Sequence, residues 1–389
     1  VTLIPLDEAR KIIDSTKFNV SNRGKYVNIF NAVGKIVIED IIAKKSIPER
    51  PLSAMDGYAI RYEDYLKYGK LRIAGKIYPF TSEISELHEG EAYYITTGSP
   101  LPINADTVVP IENSRIEGEY VIFKGEVKKG KNVREEGEDI KVNEIILAKG
   151  NEITPYHLGI LIQQGIFNVK VSDITFSIFA NGNEITSYEN PEENKIIDSI
   201  SPIIMKILEK FGNVKYLGVA RDDLNSIIEK ITKANEISDV IISIGGSSVG
   251  EKDYVKKAVN KLGEVLFEGV SINIIKRGSV GIIGGKPIII LPGQVVSAIT
   301  SFHEFGLAII SKILGVNLKK YIRSYLAEDI YVNHSMDSLY LFNVKGNSAK
   351  PLRWGVGLYS ELTKANSFAI LKRNVLYRKG EEIELQLFL

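Results

Sequence analysis

The sequence predicts a multidomain α/β chain organised around one parallel-type sheet. Between residues 174 and 314, apolar runs of strand length alternate with segments of helical period, the pattern of βαβ units. On either side the pattern changes to short strands separated by turn residues, as in small β domains. At 389 residues the chain is also too long for a single core, since domains run to about 100–200 residues.

Residues 5–16 carry apolar side chains at helical spacing. Residues 27–44 repeat the pattern with Ile29, Phe30, Val33, Ile36, Val37 and Ile41, so a second, longer helix is expected there. Pro48 and Pro51 end helix, and Asp56-Gly57 in the following SIPERPLSAMDGYAI reads as a turn that leaves Asp56 on an exposed loop. From about residue 70 to 128, KLRIAGKIY, EAYYITTG, DTVVPI and YVIFKGEV alternate with turns and predict an inserted small β domain. The TTGSPLP loop at 96–102 has hydroxyls that suit either a ligand or a turn cap. VREEGEDI at 133–140 is a charge cluster of the kind that most often faces solvent. A helix begun near Pro155 ends at Gln163-Gln164-Gly165, with Gly165 as its C-cap.

Strands are then expected at 174–180, 214–219, 240–244 and 287–291, with helices at 196–211, 223–234, 252–262 and 295–314. The central stretch is SDVIISIGGSSVGEKDY at 238–254, a strand buried on both faces that runs into Gly245 and Gly246. Paired glycines let the backbone turn sharply, and Ser248 with Glu251 has capping-box spacing, which puts a helix start near Val249. Strand, turn and helix N-terminus together suit an anionic group. The spacing from Gly245 to Gly250 imitates a P-loop, but Glu251 and Lys252 stand where Lys and Ser/Thr are needed, and G-x-G-x-x-G is absent. Ligands bind such sheets beyond the carboxyl ends of the strands, which gathers residues 181–184, 220–223, 245–250 and 292–294 at one rim. Glu184, Asp222, Asp223 and Asp253 give that rim the oxygen ligands a hard cation such as Mg²⁺ takes, although each acid alone is more often a cap. After Gly315, YIRSYLAEDIYVN, LYLFNVKG, FAILKR and EEIELQLF predict a terminal β domain whose one unusual loop is Trp354-Gly355-Val356-Gly357.

Composition narrows the function classes. With 49 basic and 48 acidic residues there is no global field to attract nucleic acid or a membrane surface. The absence of cysteine removes disulfides, thiolate metal sites and cysteine nucleophiles, and four histidines without H-E-x-x-H give no zinc signature. No targeting pattern and no uncharged apolar run of about 18 residues is present, so a soluble, cytoplasmic protein is expected. Abundant Ile, Lys and Glu lean towards a heat-adapted source.

In their order, PLSAMDGYA at 51–59, TTGSPLP and ADTVVPIE between 96 and 112, VREEGEDI, IGGSSVGEKDY, LPGQVVSA at 291–298 and GVGLYSELTKAN at 355–366 resemble the MoeA family, the molybdenum insertases, whose third domain is shared with MogA and gephyrin. The resemblance covers nearly the whole chain. It implies a discontinuous linker and dimerisation domain at 1–45 and 134–171, and a small β domain inserted at 46–133. A MogA-like three-layer α/β domain at 172–316 and a C-terminal β-barrel-like domain at 317–389 complete the implied architecture. The implied activity is insertion of molybdate, or tungstate, into molybdopterin or its adenylylated form with the help of Mg²⁺, leaving AMP and molybdenum cofactor. Implied partners are a second copy in a homodimer, a MogA/MoaB-type adenylyltransferase upstream and molybdoenzyme acceptors downstream.

By position, the resemblance puts the pterin phosphate over Gly245, Gly246, Ser247, Ser248 and Gly250, with Pro292 and Gly293 beside them. Glu184, Asp222 and Asp253 are the implied metal set, and Lys276 attracts molybdate by charge. Asp56, Thr97, Arg134 and Asp139 match cleft loops, and Ser297 and Ser360 match hydroxyls near the oxyanion. Asp56, Thr97, Asp139, Glu184, Asp253 and Lys276 form the expected catalytic set, with Asp253 at an exposed helix start.

The chain departs from the family pattern at four places. Asn181 and Asn183 stand for Thr and Asp, Ser279 for the second lysine of a Lys-Pro-Gly-Lys-Pro run, Gln294-Val295 for Asn-Pro, and Asp198-Ser199-Ile200 lacks the usual Asn. Restoring lysine at Ser279 is expected to lower the molybdate requirement. The departures leave room for a pterin-binding carrier or scaffold with weak or no catalysis, and a third reading makes the α/β domain a nucleotide-binding or hydrolytic module.

Overall fold

The computed structural model describes residues 2–20, 24–81, 83, 85–246 and 253–389. The chain divides into two compact units: Val1–Glu39, Ala148–Ile162 and Ile166–Leu389 form one, Asp40–Leu147 and Gln163–Gly165 the other.

The second unit holds a six-stranded sheet in the order Thr107–Pro110, Gly57–Ile60, Glu91–Ile95, Lys70–Ile77, Tyr120–Phe123 and Ser114–Glu117. Tyr58, Ile60, Leu71 and Val121 are buried together in its core. The four strands expected between 70 and 128 are present. Gly57, read as half of a turn, instead opens a strand, and a Cβ there would lie 2.0 Å from the Val109 carbonyl oxygen, so the neighbouring strand admits only glycine.

The first unit contains the three-layer α/β domain. Its sheet runs Gly212–Ala220, Ile174–Asn181, Val240–Ile244, Lys286–Leu291, Ser279–Ile283 and Glu264–Phe267. The first four strands are parallel, and the last two antiparallel. Side chains alternate between two cores. Ile178, Ile242 and Ile289 pack with Ile204 and Val296 on one face, and Phe179, Ile241 and Ile290 pack with Ile227 and Val255 on the other. All four expected strands are present. The two antiparallel strands were missed; Ser279–Ile283 joins Lys286–Leu291 through a turn at Gly284 and Gly285, both left-handed.

Five strands close a C-terminal barrel. Asp337–Lys345, Ser348–Pro351, Tyr321–Leu326, Glu382–Leu387 and Ser367–Leu371 follow in that order, and the last pairs back to the first. Among the described residues no helix is long and apolar enough to cross a membrane.

Two helix expectations need correction. Over 27–44 the chain forms a strand, Gly24–Asn28, paired with Asn168–Ser172, and only a short helix, Ile29–Ala32. Gly34 then takes a left-handed φ of 83°, and Ile36 and Val37 bridge to other strands. The apolar spacing suited a helix, but the β-branched content and the glycine favour extended chain. Over 196–211 a two-residue strand, Ile196–Ile197, precedes the helix, which spans Ile200–Leu208. The helix expected over 252–262 is present as Tyr254–Leu262, and the start expected near Val249 lies outside the described residues.

The helix over 295–314 is present but widens into a π turn at Phe302–Gly306, which carries His303 and Glu304 into the core. Glu304 accepts from Arg10 Nε at 2.8 Å and from Lys319 Nζ at 2.9 Å. Burial pushes its carboxyl up, yet Lys319 and Arg10 outweigh that and hold it below the usual range. His303 bonds through Nδ1 to the Ile299 carbonyl at 2.8 Å, and burial pushes its pKa down from 6.5 to about 4. The unfolded chain therefore binds the extra proton between those pH values. Stability from neutral His303 is complete above about pH 6.5 and falls as pH drops to about 4, by about 3 kcal/mol in all. A His303→Phe variant is expected to show a flatter stability curve over that window in denaturant titrations. An unchanged slope would refute the assignment.

Candidate functional site

The loops after the four parallel strands meet at one rim. Gly245 and Gly246 follow the central strand with left-handed φ values of 83° and 68°. The Gly245 N–H donates to the Leu291 carbonyl at 2.9 Å, tying the turn to the neighbouring strand. A Cβ on Gly245 would stand 2.8 Å from the Asn181 carbonyl oxygen, and one on Gly246 would stand 2.6 Å from Val255 Cγ2. The close approach and the left-handed φ both require glycine. Pro292 is buried and Gly293 exposed, and a Cβ on Gly293 would come within 3.6 Å of Gly245 Cα. Ser247, Ser248, Gly250 and the Ser248–Glu251 capping box lie outside the described residues.

Asn181 forms the floor of the turn. It is 4% exposed, and Nδ2 donates to Ser243 Oγ at 2.6 Å and to the Ile244 carbonyl at 3.1 Å. Its Oδ1 has no hydrogen-bond partner among the described residues. Asn183 and Asp222 clasp two loops: the Asn183 N–H donates to Asp222 Oδ2 at 3.2 Å, and the Asp222 N–H donates to Asn183 Oδ1 at 3.1 Å. Glu184 is exposed beside them.

Asp253 is the N-cap of the Tyr254–Leu262 helix and accepts from the Lys256 N–H at 3.3 Å. It does not sit at an exposed helix start: it is 7% exposed, and its Oδ2 lies 3.0 Å from Nζ of Lys256, which is 5% exposed. That distance makes an ion pair, yet neither atom has a partner in hydrogen-bond geometry among the described residues. Two buried charges thus neutralise each other and keep hydrogen-bonding capacity in reserve. Sequence reasoning missed Lys256; the available signal was its spacing of three residues from Asp253 at a helix start.

Among the described residues no three His, Asp or Glu side chains come close enough to hold a metal ion. Glu184, Asp222 and Asp253 therefore do not fit a preformed Mg²⁺ centre, since Asp253 faces Lys256 and Asp222 faces Asn183.

Lys276 is exposed in the turn before Ser279–Ile283. Ser279 is fully buried and donates through Oγ to the Glu268 carbonyl at 2.8 Å. A lysine restored there would enter the core rather than the rim, which overturns that expectation. Ser297 is also buried, in the helix Val295–Ser301. At the start of that helix Val296 N–H donates to the Val356 carbonyl at 2.9 Å, and Gln294 Oε1 lies 2.8 Å from the position of a Cβ on Gly357. The barrel's unusual loop thus rests on this helix start. The Ser199 and Tyr359 hydroxyls bond to each other, and Ser360 is exposed next in the chain.

In the other unit, Asp56 Oδ1 accepts from the Thr97 N–H at 2.6 Å and from Thr97 Oγ1 at 2.8 Å. Arg134 pairs along the backbone with Leu52 and lines a cavity of about 550 Å³ with Lys45 and Arg50. Asp139 is exposed, and its N–H donates to the Ile47 carbonyl at 3.0 Å. The backbone N–H and then the hydroxyl of Thr97 hold the Asp56 carboxyl below its ordinary range. Thr97→Val is expected to raise the Asp56 pKa in an NMR titration with the fold unchanged; an unmoved value would count against the contact.

Residues 4–165 match the family described as "MoeA N-terminal region (domain I and II)", and residues 177–312 match the "Probable molybdopterin binding domain". A molybdopterin biosynthesis protein of Methanocaldococcus jannaschii is 31% identical over 99% of this chain and 98% of its own length. The molybdopterin molybdenumtransferase of Haemophilus influenzae is 30% identical over 80% of this chain and 78% of its own. The crystal structure of a molybdopterin biosynthesis MoeA protein from Pyrococcus horikoshii superposes with a TM-score of 0.81 at 27% identity, covering all of both chains. Similarity of this extent, over both halves of the chain, places the protein in the MoeA family.

Proposed function

We propose that the chain is a molybdopterin molybdenumtransferase, which joins molybdate or tungstate to molybdopterin, taken as its adenylylated form, and releases AMP. One observation carries the reading within this family: a double-glycine turn that no side chain can fill lies beside the buried pair of Asp253 and Lys256. Bare backbone at the end of a buried strand lets an anionic phosphate approach closely. Lys276 supplies an exposed ammonium for the oxyanion, and Asp253, held by Lys256, is the group assigned to proton transfer at the reacting centre. No step is assigned to Mg²⁺, because among the described residues the rim carboxylates do not assemble around one point.

The reading includes the four-domain division given above, a cytoplasmic location, and the implied upstream adenylyltransferase and downstream molybdoenzymes. The departures from the family pattern leave one alternative, a pterin-binding carrier with weak or no catalysis. Purified protein mixed with adenylylated molybdopterin, molybdate and Mg²⁺ separates the two. AMP and loaded cofactor support the transferase, whereas retained pterin without turnover supports the carrier.

Asp253→Ala is expected to lower turnover about 100-fold or more. It also strands a buried ammonium, at a stability cost of about 3–5 kcal/mol. The double variant Asp253→Asn/Lys256→Met removes both charges, so it should recover most of that stability and none of the turnover. Normal turnover in the double variant would reduce Asp253 to a helix cap.

The homodimer belongs to the same reading. Asp56, Thr97, Arg134 and Asp139 lie in one compact unit, and Glu184, Asp222, Asp253 and Lys276 in the other. The family resemblance assigns both sets to one cleft completed by the partner chain. Chains carrying Asp56→Ala and Asp253→Ala are each expected to be inactive alone. After subunit exchange a heterodimer has one doubly altered cleft and one intact cleft, so about half the activity per dimer should return. No recovery after verified exchange rules out the shared cleft.

A further inference from the structure

The C-terminal barrel carries a second cationic site. Lys345, Lys350, Arg353 and Lys364 line one open cavity of about 620 Å³, together with a single carboxylate, Glu361. The hairpin register brings two of these cations together. Lys345 faces Ser348 and Lys350 faces Asn343 across the Asp337–Lys345 and Ser348–Pro351 strands, so Lys345 and Lys350 share one sheet face. Like charges on neighbouring cross-strand positions repel.

The one acid does not relieve that repulsion. Glu361 is nine-tenths buried and paired with Lys364 at 3.1 Å. Lys345 and Lys350 have no carboxylate partner among the described residues. The walls are fixed by hydrogen bonds that do not use the Lys345 and Lys350 ammonium groups. Asn343 Nδ2 bonds to the Lys364 carbonyl, the Val344 N–H donates to Asn366 Oδ1 at 2.9 Å, and the Ala327 N–H donates to the Ala349 carbonyl at 2.9 Å.

We propose that this cavity binds a small molecule through a diphosphate group. Four cations against one carboxylate leave three positive charges, spread over a volume within the usual range of about 300–1,000 Å³ for small-molecule sites. A single tetrahedral oxyanion would reach only part of that charge. Lysine ammonium groups act as point charges that suit phosphate oxygens, and no aromatic ring lines the cavity to stack a base. Recognition therefore rests on the phosphates.

The test is calorimetric titration of the full-length protein with inorganic pyrophosphate, ADP and orthophosphate. Pyrophosphate and ADP are expected to bind within about threefold of each other, and both more tightly than orthophosphate. Lys345→Ser/Lys350→Ser should weaken both about tenfold or more. Three results would overturn the proposal: no binding up to about 10 mM, unchanged binding in the double lysine variant, or orthophosphate binding as tightly as pyrophosphate.

Discussion

Glu304 has 1% of its surface exposed, and two other segments of the chain converge to neutralise it. Arg10 comes from the N-terminal helix Leu6–Ser15, and Lys319 from the segment that leads into the barrel. A buried carboxylate is costly unless it is paired, so the position of Glu304 dictates where those segments must lie. Such a triad adds little net stability over an apolar core of the same shape; its effect is to penalise every arrangement that leaves the charge alone. His303, the next residue back, ties the C-terminus to the same turn, because its Nε2 accepts from the Leu389 N–H at 3.4 Å. One π turn thus fixes the N-terminal helix, the α/β domain and both ends of the barrel segment against each other. The helix that contains it begins beside the glycine turn, so the clamp also sets where Gln294 and the 354–360 loop meet the rim.

Where the sequence was legible, one physical signal dominated. The strand Val240–Ile244 is apolar on both faces and ends in two glycines, and only a buried parallel strand at a sharp turn asks for that combination. The helix Leu224–Ile237 was legible for the same reason: its apolar stripe of Ile227, Ile231 and Ala234 faces one core, and Asp223 caps it by accepting from the Ser226 N–H at 2.8 Å. The segment at 27–44 misled because periodicity alone cannot separate a helix from extended chain rich in Ile and Val. The decisive residue was Gly34, whose left-handed conformation is not encoded in an apolar pattern.

The rim was legible as a place more than as a set of side-chain contacts. The rule that ligands lie beyond the strand ends gathered loops that do meet at one rim, because it depends only on topology. The roles depend on pairings across tens of residues, which spacing does not reveal. Asp222 meets Asn183 across two loops, and the short-range contact of Asp253 with Lys256 turns an expected surface acid into a buried one. Ser279 shows the same limit in reverse: its place beside Lys276 and Arg277 suggested the rim, while its strand register puts it in the core.

The residues that depart from the family pattern bear on whether the rim is degraded or specified. A site losing its function would accumulate polar groups with nothing to hold them, since selection no longer penalises the orphan. Here the reverse holds for most of them. Asn183 closes a reciprocal clasp with Asp222, and Ser279 donates to Glu268. Asn181 spends both of its donors on Ser243 and Ile244, which fixes the floor beneath Gly245. Its Oδ1 is the exception, a buried acceptor left over beside the glycine turn. An unpartnered acceptor costs about 1–3 kcal/mol if nothing ever reaches it. Among the described residues, the spare capacity therefore lies at the turn and at the Asp253–Lys256 pair beside it. On the reading proposed above, that is where a rim keeping capacity for an anionic ligand would hold it.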